Sequence, residues 1–120
     1  MTVAVLGASP NPDRYANKAI RLLLEHGHDV RPVNPAYDRI EGLATASGLE
    51  DLEPGSVDTV TVYMNPARTK ELGKSLIAAD PARVIFNPGT ESEALEAELR
   101  DAGIEVVEAC TLVLLRTGQF

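Results

Sequence analysis

The chain has 120 residues, 44% of them hydrophobic, which allows one buried core and is too short for two ordinary domains. A formal charge of -7 excludes a nucleic-acid binder that works through a broad basic face, because neutralising phosphates requires clustered Lys and Arg. No apolar run approaches the ~20 residues that span a bilayer, no basic leader precedes Met1 to Leu6, and the only cysteine is Cys110, so the expectation is a cytoplasmic protein without membrane span, disulfide scaffold or zinc ribbon.

In chain order, the Val- and Leu-rich run Thr2 to Leu6 stops at Gly7 and reads as a strand buried on both faces. Ala19, Ile20, Leu22, Leu23 and Leu24 then form an apolar stripe at helical spacing, closed by Gly27, which predicts a helix from Tyr15 to His26. Asp29 to Val33 gives a second strand that ends at Pro35 and completes a β-α-β unit. Residues Ala36 to Val57 show no clean period and leave room for a long crossover or a short extra strand.

The alternation resumes with a strand at Thr59 to Tyr63, a helix at Pro66 to Ala79, a strand at Arg83 to Phe86, a helix at Ser92 to Ala102 and a strand at Glu105 to Val107. Pro66 suits a first helical position, Ser92 suits an N-cap, and Gly103 closes its helix. Thr111 to Thr117 fits a final helical turn and a half or a sixth strand, and is read as helix. Buried strands alternating with helices predict a single α/β domain over residues 1-120. The expected architecture is a three-layer, doubly wound, Rossmann-like fold on a parallel five-stranded sheet of order 3-2-1-4-5.

Ligands of such a sheet bind outside the carboxyl ends of the strands, so function is read from the turns that follow them. The first, Gly7-Ala8-Ser9-Pro10-Asn11-Pro12-Asp13-Arg14-Tyr15, leads from a strand into a helix and offers backbone N–H groups and a helix N-terminus to an anion. Gly7 permits a tight turn, Ser9 and Asn11 add polar side chains, and Arg14 adds a fork of charged donors. The other turns are Asn34-Pro35, Met64-Asn65-Pro66 and Asn87-Pro88-Gly89-Thr90. The dinucleotide fingerprint G-x-G-x-x-G fails at Ser9 and Pro12, and the acid that holds an adenosine ribose is replaced by Val33-Asn34-Pro35.

The ordered set Gly7-Ala8-Ser9-Pro10-Asn11-Pro12, Arg14-Tyr15, Val33-Asn34-Pro35, Val62-Tyr63-Met64-Asn65-Pro66 and Asn87-Pro88-Gly89 resembles the small stand-alone CoA-binding domain proteins, themselves similar to the CoA-binding domain of the succinyl-CoA synthetase α subunit. The resemblance spans nearly the whole chain. It implies that Gly7, Ala8, Ser9, Asn11, Arg14 and Tyr15 hold the diphosphate of coenzyme A. It also implies that Asn34, Pro35, Tyr63, Met64, Asn65 and Pro66 flank the adenosine, and that Asn87 and Gly89 lie near the pantetheine. The fourth turn departs from the family's Gln-x-Gly form.

No nucleophile, acid and base converge in the sequence, so a non-catalytic carrier, sensor or partner module is expected. His26 and His28 fall at the end of the first helix, away from the ligand edge. Cys110 reads as a packed thiol, with a mixed disulfide to the CoA thiol as the sharper alternative. Glu91, Glu93, Glu96 and Glu98 read as a solvated acidic face. Two other functions stay open: an NAD(P)-binding oxidoreductase-like protein, and a ligand-free interaction domain. A protein partner or homodimer is left undecided.

Overall fold

A computed structural model describes all of residues 1–120. Strand β1 (Thr2–Leu6) lies inside the sheet, because its residues are small or β-branched and apolar on both faces. It pairs in parallel with β2 (Asp29–Val33) on one side and with β5 (Thr59–Val62) on the other. The sheet continues in parallel through β6 (Arg83–Phe86) to β7 (Glu105–Glu108). The full strands thus run β2-β1-β5-β6-β7. On the outer side of β2, Val33 forms a single parallel bridge with Ala46. With that bridge as a rudimentary third strand, the sheet has the doubly wound order that begins 3-2-1-4-5. Pro32, which lacks an amide, is tolerated because β2 has only this one bridge outside it.

The alternation along β1 sorts the core into two layers. Val3 and Val5 join Ala16, Ile20 and Leu23 of helix α1 (Tyr15–Glu25) and Leu115 of helix α5 (Thr111–Arg116). Ala4 and Leu6 face the opposite side, with Leu76 of α3 (Gly73–Ala79) and Leu95 and Leu99 of α4 (Glu93–Asp101). Two helical layers enclose one sheet, as the sequence pattern predicts. No helix is long and apolar enough to cross a membrane.

The irregular segment resolves into a small hairpin, β3 (Arg39–Ile40) and β4 (Leu43–Ala44), then the Ala46 bridge and a single 3-10 turn at Leu49–Asp51. Ile40 and Leu49 are its buried anchors, one on each face of the sheet. The extra strand is therefore present as one residue rather than a full ladder.

Two expectations are corrected. The helix expected from Pro66 to Ala79 is two: α2 (Pro66–Thr69) and α3. The chain tightens at Leu72, whose amide donates to Thr69 O at 2.8 Å, and restarts at Gly73, where the Glu98 carboxylate of α4 fills the space a Cβ would need. Gly73, a weak helix former, stands at the break, so nothing local enforces a continuous helix through it. The second correction concerns Glu96, expected on a solvated face but only 2% exposed. It lies beside the buried Leu95, accepts from Ser92 N at 3.1 Å, and faces Glu108 of β7.

Burial, followed by hydrogen bonding with Glu108, holds the Glu96 carboxyl above the usual carboxylate range. A raised folded-state value means that the native protein binds this proton more tightly than the unfolded chain does. The resulting stability is fully present below the unfolded value of 4.5 and is lost as pH rises through the folded one. Glu96→Gln keeps an acceptor for Ser92 without the charge. Thermal melts over a pH series are expected to show the variant more stable than the parent at neutral pH, with the gap closing in acid.

Candidate functional site

The carboxyl ends of the strands open onto a cleft of about 700 Å3. It lies where the chain, having moved outward from β1 to β2, returns to the other side of β1 as β5, the switch point of the sheet. Its floor is Leu6, Gly7, Ala8 and Val33, and its walls are four turns from different parts of the chain.

The glycine turn is built tightly. Gly7 takes a positive φ of 84°, and an added Cβ would lie 2.8 Å from both the Tyr63 carbonyl oxygen and Met64 Cγ. The close approach that demands glycine is therefore to the neighbouring turn of the protein itself. The Gly7 and Ala8 amides both donate to Val33 O, at 3.2 and 3.3 Å, so neither points at the cleft as a spare donor. The loop beyond is braced by its own side chains: Asn11 N donates to Ser9 Oγ at 3.1 Å and Asp13 N to Asn11 Oδ1 at 3.0 Å. Asn17, buried on the first turn of α1, donates from Nδ2 to Ser9 O at 3.0 Å and to Glu41 Oε2 at 3.1 Å, and its Oδ1 finds no donor.

Helix α1 itself begins without a cap. Arg14 occupies the N-cap position in extended geometry and its side chain accepts nothing, so the amides of Tyr15, Ala16 and Asn17 have no acceptor in the protein. Ser9 N is likewise unspent. Of the residues bearing these donors, Ser9, Tyr15 and Ala16 line the cleft together with Arg14, beside the positive end of the helix dipole.

Twelve further residues of the sequence reading divide cleanly. Ala8, Ser9, Tyr15, Asn34, Pro35, Tyr63, Met64, Asn65 and Gly89 line the cleft together with Gly7 and Arg14. Asn34 is nonetheless engaged at both ends of its amide, with Nδ2 on Ala8 O and Oδ1 receiving Ala36 N, both at 2.8 Å. Asn65 Oδ1 caps α2 by accepting Ala67 N at 2.8 Å. Asn11, Pro66 and Asn87 do not line the cleft. Pro66 is the first residue of α2. Asn87, 2% exposed, donates to Thr61 Oγ1 and Val62 O and receives Thr111 N, tying β5, β6 and α5 together.

Sequence reading missed two walls. Arg68, on the short helix α2, is a second guanidinium at the cleft, and Tyr37 with Ser47 to Glu50 forms a side supplied by the irregular segment. Helical spacing alone gave no reason to single out Arg68, and the Ser47 side depends on the one-residue bridge at Ala46. The cleft thus carries two cations and one carboxylate in a chain of net charge -7.

Acid-base groups are sparse here. The Tyr63 ring lines the cleft but its hydroxyl is buried without a partner, and burial pushes its pKa up to about 12. Cys110, half-buried at the N-cap of α5, is outside the lining. His28 packs at the amino ends of the strands, 3.3 Å from the Met1 nitrogen. No group of three or more His, Cys, Asp or Glu side chains is arranged to hold a metal ion.

The profile of a family described as a CoA binding domain matches residues 1–116. The chain belongs to that CoA-binding family. Among solved structures, an uncharacterized protein is 40% identical, with a TM-score of 0.90 over 99% of this chain and 97% of the other. A protein from Thermus thermophilus is 33% identical, with a TM-score of 0.89 over 99% and 90% of the two chains. The protein YneT of Bacillus subtilis is 25% identical over 105 residues, which cover 88% of this chain and 77% of its own.

The turn requires glycine at position 7 for two separable reasons, conformation and space. Gly7→Val is expected to cost about 2 to 5 kcal/mol, combining a left-handed backbone with overpacking against the Tyr63 turn. Gly89, with a φ of 89° but nothing within 4 Å of an added Cβ, isolates the first reason. Gly89→Ala is expected to cost only about 1 to 2 kcal/mol. Urea midpoints for the two variants, at unchanged slope, provide the comparison.

Proposed function

We propose that the chain binds coenzyme A or an acyl-CoA across the carboxyl edge of its sheet and performs no chemistry on it, serving as a carrier, sensor or partner module. The diphosphate rests against Ser9 N, the first turn of α1 and Arg14. Arg68 supplies the second charge from the facing wall. Asn34, Pro35, Tyr37 and the Tyr63 to Asn65 turn flank the adenosine, and the pantetheine leaves past Gly89 and Thr90.

The observation that carries this reading is the uncapped start of α1, whose orphan amides open onto the cleft of a CoA-binding family member. Leaving a helix N-terminus without a cap costs about 1 kcal/mol, which an anionic ligand offsets by accepting those hydrogen bonds. A cleft of about 700 Å3 is within the usual range for ligand sites and is long enough to involve four turns. The non-catalytic part rests on the absence of a tuned acid or base at the lining: Tyr63 holds its proton at any ordinary pH, and both histidines are at the other edge.

Calorimetric titration with CoA, dephospho-CoA, NADPH and ATP tests the reading. CoA is expected to bind tightest and to weaken on loss of its 3′-phosphate. A preference for NADPH would favour the oxidoreductase-like alternative, and silence from all four would favour an interaction domain. Arg14→Ala is expected to weaken CoA by about 1.5 to 3 kcal/mol, the worth of a charged hydrogen bond. Its melting temperature should not move, because Arg14 is exposed and makes no ion pair.

A further inference from the structure

We propose that Glu41 and Asn17 are a positioning pair for the loop that opens the cleft: the Glu41 carboxylate orients the buried Asn17 amide, which holds the Ser9 carbonyl and keeps the free Ser9 amide in place. This rests on the CoA reading above, in which Ser9 N meets the diphosphate.

Two local costs converge on this contact. The first is at Glu41, whose φ of 51° is left-handed backbone that disfavours a side chain. Glu41 and Gly42 form the two-residue turn between β3 and β4, and a tight hairpin turn of this kind requires positive φ at both positions. Asn, Asp or Gly would meet that requirement more cheaply than Glu. Asp80, the other non-glycine residue with positive φ, closes α3 as a left-handed C-cap. No such role accounts for a glutamate at position 41. What the side chain gains there is the Asn17 amide, whose Nδ2 donates to its Oε2 at 3.1 Å. Ile40, 1% exposed, packs in the same layer as Ala16 and Ile20 of α1 and so sets Glu41 beside the start of that helix.

The second cost is at Asn17. This side chain is 0% exposed, and its Nδ2 donates to Ser9 O at 3.0 Å as well as to Glu41. Both partners are acceptors only, so the amide cannot be reversed, and Oδ1 is left buried without a donor. An unpaired buried carbonyl and a left-handed glutamate persist together only where the surroundings enforce them, and both serve the one bond to Ser9 O.

The orientation of Ser9 is what that bond controls. Ala8 O accepts from Asn34 Nδ2 at 2.8 Å, and because a trans peptide is planar with its N–H opposite its C=O, the bond aims the Ser9 N–H away from Asn34. The Ser9 carbonyl belongs to the following peptide, which Asn17 pins. Each peptide flanking Ser9 is thus held by a side-chain amide. Without the Glu41 acceptor the Asn17 amide is free to turn, and the Ser9 peptide loses one of its two anchors.

The test compares Glu41→Ala, which removes the acceptor, with Glu41→Gln, which keeps one without the charge. Glu41 is exposed, so both variants are expected to fold. CoA is expected to bind Glu41→Ala about five-fold more weakly than the parent, and Glu41→Gln within about two-fold of it. NMR relaxation of the backbone amides in the free proteins adds a readout that a general loss of stability would not move. The Ser9 amide is expected to gain motion in Glu41→Ala alone, while the Gly7 and Ala8 amides, both bonded to Val33 O, stay as ordered as in the parent. Parent-like affinity in Glu41→Ala, an equal loss in both variants, or an unmoved Ser9 amide overturns the positioning role and leaves CoA binding standing. Failure of the parent to bind CoA overturns the reading beneath it, and the Ser9 amide then still decides whether Glu41 holds the loop.

Discussion

The Val33 carbonyl accepts two amides, those of Gly7 and Ala8, and the geometry of the whole carboxyl edge follows from that shared acceptor. To reach it, the chain must turn sharply at the end of β1, which places Gly7 in the left-handed region and presses it against the Tyr63 carbonyl. Asn34 closes the other side by donating to Ala8 O at 2.8 Å. Three strand ends are thereby locked together by main-chain and amide hydrogen bonds alone. The turn costs no strain because glycine adopts a positive φ freely, and the crowding at Tyr63 keeps any larger residue out.

One consequence concerns where an anion meets the protein. The first two amides of the turn are consumed in the fold, so the donors that remain belong to Ser9 and to the start of α1. Ser9 and Asn11 use their side chains to shape the loop, and Asn17 fixes the Ser9 peptide from beneath by holding its carbonyl. The polar residues of the loop thus act mainly on each other, and the helix end is left bare. An acidic chain gains a locally positive cleft in this way from dipoles and two guanidiniums, without a basic surface.

The parallel sheet was legible because its strands are short apolar runs between glycine or proline turns, and those same turns line the cleft at its carboxyl edge. The bounds of α1 followed equally from periodicity and a stop signal, whereas the segment of α5 was too short for either to separate helix from strand. What stayed hidden depends on contacts between distant segments. Nothing in the apolar spacing of Pro66 to Ala79 announces the break between Thr69 and Gly73, yet that break leaves Arg68 on a separate short helix at the cleft. Glu96 carries the charge pattern of an exposed face and is buried because β7 brings Glu108 against it. Glu50 is invisible to any strand pattern, since a single bridge at Ala46 is all that delivers it.

The fourth turn departs from the family's Gln-x-Gly form, and its geometry gives a physical reading of that departure. Asn87 is shorter by one methylene than glutamine and is held inside the fold, where it links Thr61, Val62 and Thr111 in one buried network. Breaking such a network leaves several donors and acceptors unpaired, so the side chain is not free to reach outward. On the proposed reading, a pantetheine arm leaving this cleft meets the main chain of Pro88 to Thr90 rather than a side-chain amide. Of those groups, Gly89 N is engaged by the Glu91 carboxylate at 2.8 Å, and the Thr90 amide and hydroxyl both donate to Asn87 O. Few donors are left for the amides of the arm. On that reading, the contacts to the ligand are concentrated at its nucleotide end.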